Sequence, residues 1–197
     1  MAGICAIILA AGESKRMGSP KMLLDFNGKT MLETVIGNVR DSDVDDILVV
    51  LGAYRSKLER IVRNTGVRSC YNDIYKDGML SSVKCGFRNI PHGAEAVLVY
   101  QGDQPFITSK VTNKVIEEHI NTGKGIVIPV FKNRMGHPLL VGKKYFMEIE
   151  KLDQAKGLRS LAEIFSDDVA KVSVDEGGIL RDFDTFEDYR KEINQIH

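Results

Sequence analysis

The sequence carries no surplus of charge of either sign. Its 197 residues hold 27 Lys and Arg against 27 Asp and Glu, a formal net charge of zero. A chain without a broad cationic field lacks the electrostatic footprint of a nucleic-acid or anionic-membrane binder. No apolar run approaches the roughly 20 residues of a membrane span. The apolar stretch that starts at Ile4 passes within a few residues into Ala10-Ala11-Gly12 and a polar loop. That is the pattern of a first core strand rather than a secretion signal, so a cytoplasmic chain is expected. Cysteine is scarce as well. Cys5, Cys70 and Cys85 are widely spaced, include no C-x-x-C pair and are odd in number, which argues against a disulfide framework. Cys5 and Cys70 read as small packed residues, and Cys85 falls on a helical segment. His92, His119 and His197 share no ligand spacing, so a zinc site is not expected. Neither G-x-x-x-x-G-K-[ST] nor G-x-G-x-x-G occurs, which removes the usual support for a P-loop ATPase or a dinucleotide-binding protein.

What is present is an alternation of strand and helix patterns. With 43% hydrophobic and 27% charged residues, the chain suits one compact domain over residues 1–197. Apolar runs at 4–9, 47–51, 67–71, 96–100, 126–131, 138–141 and 169–174 read as strands. Residues 30–40 place Met31, Leu32, Val35, Ile36 and Val39 at helical spacing. Further helices are predicted at 56–63, from about 80 to 90, at 109–120 with Thr108 as N-cap, and at 143–152, 158–165 and 186–193. Residues 132–138 read as a loop. Repeated β-α-β units with short connections imply a three-layer α/β fold: a mostly parallel twisted sheet with helices on both faces. Ligands of such sheets bind outside the carboxyl ends of the strands. The loop after the first strand, the region near Asn72 and the segment 101–105 all follow strands and are expected to meet there.

Five patches carry candidate chemistry. In residues 9–21, LAAGESKRMGSPK, small residues lead into Gly12, and Lys15, Arg16 and Lys21 follow as spaced cations. A strand, a small-residue turn and cations suit a triphosphate laid against backbone N–H groups, with Arg16 and Lys21 balancing its charge; the alternative is a basic surface loop. Gly102-Asp103-Gln104-Pro105 ends the most apolar strand, where a turn carboxylate can hold Mg²⁺ beside a phosphate. Residues 72–86 form a polar loop entering a helix, able to read a base edge or simply to cap through Ser81 or Asp77; Lys84 and Arg88 there face phosphate or solvent, solvent being favoured for Arg88. Arg134-Met135-Gly136-His137-Pro138 suits acid/base work, anion binding or a plain turn. Near the end, Asp184 precedes Thr185-Phe186-Glu187-Asp188, as a metal ligand or a cap.

The first loop resembles the signature loop of nucleotidyltransferases with a molybdopterin-guanine-dinucleotide-synthase-like fold, and the other four patches resemble that family's segments in the same order. The double alanine before Gly12, and Gln104 after the aspartate, most resemble the molybdenum cofactor cytidylyltransferase branch; the guanylyltransferase branch has a second glycine where Ala11 stands. Two positions depart from the family pattern: Phe186 replaces a proline, and Leu80 stands where a serine is common. The resemblance implies a Rossmann-like fold and transfer of CMP from CTP to the terminal phosphate of molybdopterin or molybdenum cofactor, with release of pyrophosphate. It implies Arg16, Lys21 and Asp103 as catalytic residues. Nucleotide contacts would come from Leu9, Ala10, Ala11, Gly12, Arg16, Lys21, Asn72, Gly78, Ser81, Ser82 and Gly102. Asp103 and Asp184 would hold Mg²⁺ or Mn²⁺, with Asp182 as the substitute second ligand. Gln104, Arg134 and His137 would face the acceptor. Molybdenum hydroxylases would receive the product, and no nucleic acid or membrane takes part. The alternatives are transfer of GMP, a different phosphate acceptor, or a non-catalytic cofactor-binding chaperone.

Overall fold

A computed structural model describes residues 3–183 and 185–196. In chain order the elements are β1 (Gly3–Ala10), β2 (Asp25–Phe26), β3 (Lys29–Thr30), α1 (Met31–Arg40), β4 (Asp46–Leu51), α2 (Arg55–Thr65), β5 (Arg68–Tyr71), α3 (Met79–Arg88), β6 (Ala94–Gln101) and α4 (Ser109–Thr122). They continue with β7 (Ile126–Phe131), β8 (Arg134–Met135), β9 (Leu139–Gly142), α5 (Phe146–Lys151), α6 (Ser160–Ile164), β10 (Val169–Ser173) and α7 (Phe186–Ile196).

The main sheet has the order β10-β7-β9-β6-β1-β4-β5, with β8 paired to β7. Beside its middle strand, β6, runs β1, which is apolar at every position because both of its faces are covered. Ile4, Ala6, Ile8 and Ala10 point into one core with Leu32 of α1, Leu58 of α2 and Val111 of α4. Cys5, Ile7 and Leu9 point into the other with Leu80 of α3, Ile149 of α5 and Leu161 of α6. The strand period of two thus divides one apolar run between two helical layers. Ile7 and Ile8 are fully buried, and each side chain contributes about 1.5–3 kcal/mol through burial. Helix α1 shows how sequence sets a boundary: Glu33 N–H donates to Thr30 Oγ1 at 3.2 Å while Thr30 N–H donates to Glu33 Oε2 at 2.8 Å. This reciprocal cap supports the helix start by about 1 kcal/mol. Hydrogen bonding to Thr30 holds the Glu33 carboxyl below its ordinary pKa.

All helical and strand segments read from the sequence are present, with shifted ends. Two strands, β9 and the two-residue β8, run against the rest. β9 is antiparallel to both β6 and β7, because the short connection from β7 through the two-residue β8 turns the chain back. Residues 143–152 divide into a 3-10 turn, Lys143–Tyr145, and the six-residue α5. The β2–β3 hairpin is an addition. It is pinned by Phe26, whose ring meets Phe106 edge-on at 5.1 Å, in a small cluster with Met17, Met31 and Phe183. Among the described residues no helix is long and apolar enough to cross a membrane.

Candidate active site

The carboxyl ends of β1, β4, β5 and β6 share one rim, and the loop that leaves β1 folds over it. Ala11 is buried against Gly52; a Cβ at Gly52 would stand 2.5 Å from the Ala11 carbonyl oxygen. Ala53 N–H donates to that same oxygen at 3.1 Å, so β4's exit fixes where the loop begins. Gly12 differs: a Cβ there would meet nothing within 4 Å. Its small size is not required by packing and leaves the backbone open to a ligand. Ser14 takes the left-handed conformation at φ 49°, which turns its hydroxyl back to accept from Lys21 N–H at 3.1 Å. Tyr54 Oη donates to the Glu13 carbonyl at 2.9 Å. Met17 and Met22 are buried and anchor the loop from below.

This loop carries Lys21 to Asp103. Nζ of Lys21 lies 3.2 Å from Asp103 Oδ2, and the two side chains are only 11% and 13% exposed. They line a cavity of about 320 Å³ together with Gly12, Glu13, Ser14 and Lys15. Lys15 pairs outward with Glu13 at 2.8 Å. The cavity therefore has one open backbone stretch, two cations and two carboxylates on its wall, each cation paired with one carboxylate, and its backbone and cations suit phosphate oxygens.

Asp103 lies just past the end of β6. Gly102 N–H donates to the Leu9 carbonyl at 2.9 Å, and a Cβ at Gly102 would lie 3.0 Å from both that oxygen and Met22 Sδ. Two residues before Asp103, Gln101 lines a second and larger cavity of about 660 Å³. Its lining includes the apolar Val83, Val99, Ile128 and Leu139 and the cations Lys156 and Arg159. The segment 101–103 is thus the partition between the two hollows.

His137 reaches the larger cavity because β9 is antiparallel. The register pairs Val99 with Leu139, and its continuation sets His137 beside Gln101. His137 Nε2 is 3.0 Å from Gln101 Nε2, and its Nδ1 is 3.4 Å from the Val99 carbonyl oxygen. A carbonyl only accepts and, with the Gln101 amide in this orientation, its Nε2 only donates; the imidazole is therefore neutral with its proton on Nδ1. Burial depresses its pKa, and the nearby Arg159 adds to the effect. Gly136 is fixed by packing, since a Cβ there would lie 2.4 Å from the Ile179 carbonyl oxygen.

A family model described as the MobA-like NTP transferase domain matches residues 6–171 of this chain. The chain belongs to that family. It is a nucleotidyltransferase. The molybdenum cofactor cytidylyltransferase of Escherichia coli K12 is 29% identical over 96% of this chain and 95% of its own length. A probable molybdenum cofactor guanylyltransferase of Methanosarcina mazei is 30% identical over 91% of this chain and 80% of its own. Among solved structures, Rv0371c of Mycobacterium tuberculosis H37Rv superposes with a TM-score of 0.87, at 25% identity and 98% coverage of both chains. A second structure of that mycobacterial protein is a complex with manganese, with a TM-score of 0.83, 23% identity and coverage of 98% of this chain and 99% of that one.

In this MobA-like NTP transferase, Gly12, Lys21 and Asp103 come together in the smaller cavity, and Leu9, Ala10, Ala11 and Gly102 build its support. Arg16 lies on the 3-10 turn Lys15–Met17 of the same loop; its side chain lies outside the described set, and Asp184 lies outside the described residues. Asn72, Ser81 and Ser82 are buried. Asn72 Nδ2 donates to Ser81 Oγ at 2.8 Å and to Ser82 Oγ at 3.0 Å, so their side chains bind one another and fix the 72–78 loop to α3. Gly78 is the joint of that loop, at φ 103°. Gln104 is buried with its Oε1 unpaired. Arg134 is exposed on β8, outside the lining that Met135, Gly136 and His137 contribute. Lys84 is half-buried, and its Nζ donates to the Leu152 carbonyl at 3.0 Å. Arg88 forks onto Glu150 at 2.8 and 2.6 Å. Lys156 and Arg159 are the residues that sequence reasoning missed. The available signal was a pair of cations on either side of Gly157, at the start of the second of two short helical patterns.

Proposed function

We propose that this chain transfers CMP from CTP to the terminal phosphate of molybdopterin or its molybdenum complex and releases pyrophosphate. The observation that carries the reading is the Lys21–Asp103 pair on the wall of the loop cavity, one partition away from a larger hollow with apolar residues and cations in its lining. The triphosphate lies along the open backbone at Gly12, with Lys21 and Arg16 against its charge. The acceptor lies in the larger cavity, its apolar body on Val99 and Leu139 and its phosphate drawn by Arg159 and Lys156. A phosphate oxygen of the acceptor attacks the α-phosphorus; the bond from that phosphorus to the bridging oxygen breaks, and pyrophosphate leaves with the electron pair. A phosphate is already ionised near neutral pH, so no general base is needed, and His137 orients Gln101 instead of moving a proton.

Two anions must meet, so the barrier is electrostatic and positional. Lys21 stabilises the charge that grows on the leaving group. Among the described residues no group of three or more His, Cys, Asp or Glu side chains gathers to hold a metal. Among the described residues Asp103 and Glu13 present carboxylates at the cavity, and Glu13 is paired with Lys15. That fits a hard divalent ion such as Mg²⁺ or Mn²⁺, which takes one or two carboxylates and completes its shell with phosphate oxygens and water. Asp184, or Asp182 in its place, is the proposed second ligand. When bound, the ion supplies charge neutralisation between the two phosphates. The manganese complex of the mycobacterial protein supports a divalent metal, and the Escherichia coli relative together with Ala11 supports CTP. A molybdenum hydroxylase would receive the dinucleotide.

The Methanosarcina relative favours a second reading, transfer of GMP. Pyrophosphate release measured with each of the four ribonucleoside triphosphates, molybdopterin and Mg²⁺ separates the two. Release with CTP alone supports the proposal, and release with GTP alone replaces it by the second reading. Tight molybdopterin binding without any release favours a chaperone and overturns both.

A further inference from the structure

Two of the three cysteines form a pair that the transfer reaction does not use. Cys70 in β5 and Cys85 in α3 are both partly accessible, whereas Cys5 is buried. Their sulfur atoms stand 3.7 Å apart. As a thiol, Cys85 donates to the Tyr71 carbonyl at 3.5 Å. The pair brackets a buried polar network. Cys70 lies two residues before Asn72, and Cys85 three residues after Ser82, on the two elements that the Asn72–Ser81–Ser82 hydrogen bonds join.

The two sides of this pair differ in freedom. A disulfide needs its sulfur atoms at about 2.05 Å, so the present gap of 3.7 Å must close by about 1.7 Å. Rotation of the two side chains supplies part of that closure, and helix α3 has little room to supply the rest, because Gly86 packs so closely on β1 that a Cβ there would lie 2.8 Å from Ile7. β5 can supply it, being the edge strand with β4 as its one sheet neighbour. Moving β5 carries Asn72 with it, and with Asn72 the loop that ends at the Gly78 joint.

We propose that Cys70 and Cys85 are a reversible oxidation site, closed to a disulfide by peroxide, and that closure draws β5 towards α3 and weakens nucleotide binding through the 72–82 segment; the second half rests on the nucleotide reading above. The Cys85 thiolate attacks a peroxide oxygen, forming an S–O bond and breaking the O–O bond, and the departing hydroxide leaves as water. Cys70 sulfur then attacks the sulfenic sulfur of Cys85. The S–S bond forms, the S–O bond breaks, and hydroxide takes the Cys70 proton and leaves as a second water. Two thiols and one hydrogen peroxide give one disulfide and two waters, with two electrons passing to the peroxide. The asymmetry of the pair fits this order. The hydrogen bond from Cys70 holds Cys85 below the ordinary thiol pKa, Arg88 favours the same charge and Asp73 opposes it. The same bond, with burial, pushes Cys70 up.

The test treats the purified full chain with hydrogen peroxide, traps remaining thiols by alkylation and maps the peptides without reductant. A linked Cys70–Cys85 peptide, with Cys5 still a thiol and the link cleaved by dithiothreitol, is the expected result. Sulfinic or sulfonic acid on Cys85 with Cys70 free, or no reaction at either, overturns the site. CTP affinity is then measured by calorimetry on reduced and oxidised chain. The oxidised form is expected to bind about fivefold more weakly or worse, reversibly, and the Cys70→Ser chain to bind alike with and without peroxide. Equal affinity in both forms overturns the second half. A reduced chain that binds no CTP overturns the nucleotide reading and that half with it, while the peptide map still decides the first.

Discussion

Replacing Lys21 by methionine and Asp103 by asparagine, singly and together, tests whether the two side chains act as one unit. Their charged atoms lie 3.2 Å apart, and neither side chain is more than 13% exposed. At an effective dielectric constant of about 20 the direct attraction is roughly 5 kcal/mol. Desolvation of the two charges offsets most of that, so the pair itself contributes far less. What remains visible is the coupling, about 1–3 kcal/mol for residues in contact. Lys21→Met leaves the Asp103 carboxylate without the ammonium, and Asp103→Asn removes the carboxylate from the ammonium. Either change alone should destabilise by about 1–3 kcal/mol because it takes one charge partner from a partly buried group. The double variant should be more stable than the sum of the two losses predicts, by the coupling term. The chain has no tryptophan, so urea unfolding is followed by far-ultraviolet circular dichroism. Pyrophosphate release is measured on the same four proteins. Each single substitution should abolish it, and the double should be no worse than either. Losses of stability that add to within about 0.5 kcal/mol, or a folded single variant with ordinary turnover, would refute the argument.

Three further outcomes follow from the geometry. Gly12→Ala should leave the urea midpoint nearly unchanged, because a Cβ there meets nothing within 4 Å, yet weaken nucleotide binding in a calorimetric titration; Gly102→Ala, with contacts at 3.0 Å, should cost about 1–3 kcal/mol of stability as well. Arg159→Ala should raise KM for the phosphorylated acceptor about tenfold or more, as expected for a lost charge-assisted hydrogen bond, with KM for the nucleotide and the melting temperature unmoved. His137 is depressed below its ordinary value of 6.5 by burial. The unfolded chain therefore binds the extra proton first. The stability this neutral imidazole supplies is complete above about pH 6.5 and drains away as pH falls towards the folded value. His137→Gln should flatten that acid-side decline in urea midpoints, and a decline of the same steepness would count against the buried neutral tautomer.

The fold was largely legible because its central strands have no alternative use. A run such as Ile4 to Leu9, apolar at every position, has to be covered on both faces, and helices with apolar spacing stood ready on either side of it. Strand direction was not legible. Residues 138–141 read as a strand by their apolar run, but no side-chain pattern says which way a strand points, and β9 is antiparallel to its neighbours. The two-residue strands β2, β3 and β8 are too short to show any period. At the site, Lys21 and Asp103 were readable from their place after strands, where backbone ends gather. Asn72, Ser81 and Ser82 were read as nucleotide contacts, with capping by Ser81 as the alternative; the structure binds their side chains to one another, and residue type alone does not tell a ligand contact from an internal one. Arg159 escaped notice because its surroundings, Val99 and Leu139 among them, are brought to it only by the antiparallel return of the chain.

Gln101 and Asp103 open on different chambers, and the wedge between them is one glycine pressed onto Leu9 and Met22. The divider therefore has no slack. A methyl group added along it is felt by whatever occupies either side, whereas a change at Gly12 or at Arg159 is felt by one occupant alone. Preference for the donor and preference for the acceptor can thus be retuned separately from the outer flanks, but never from the middle.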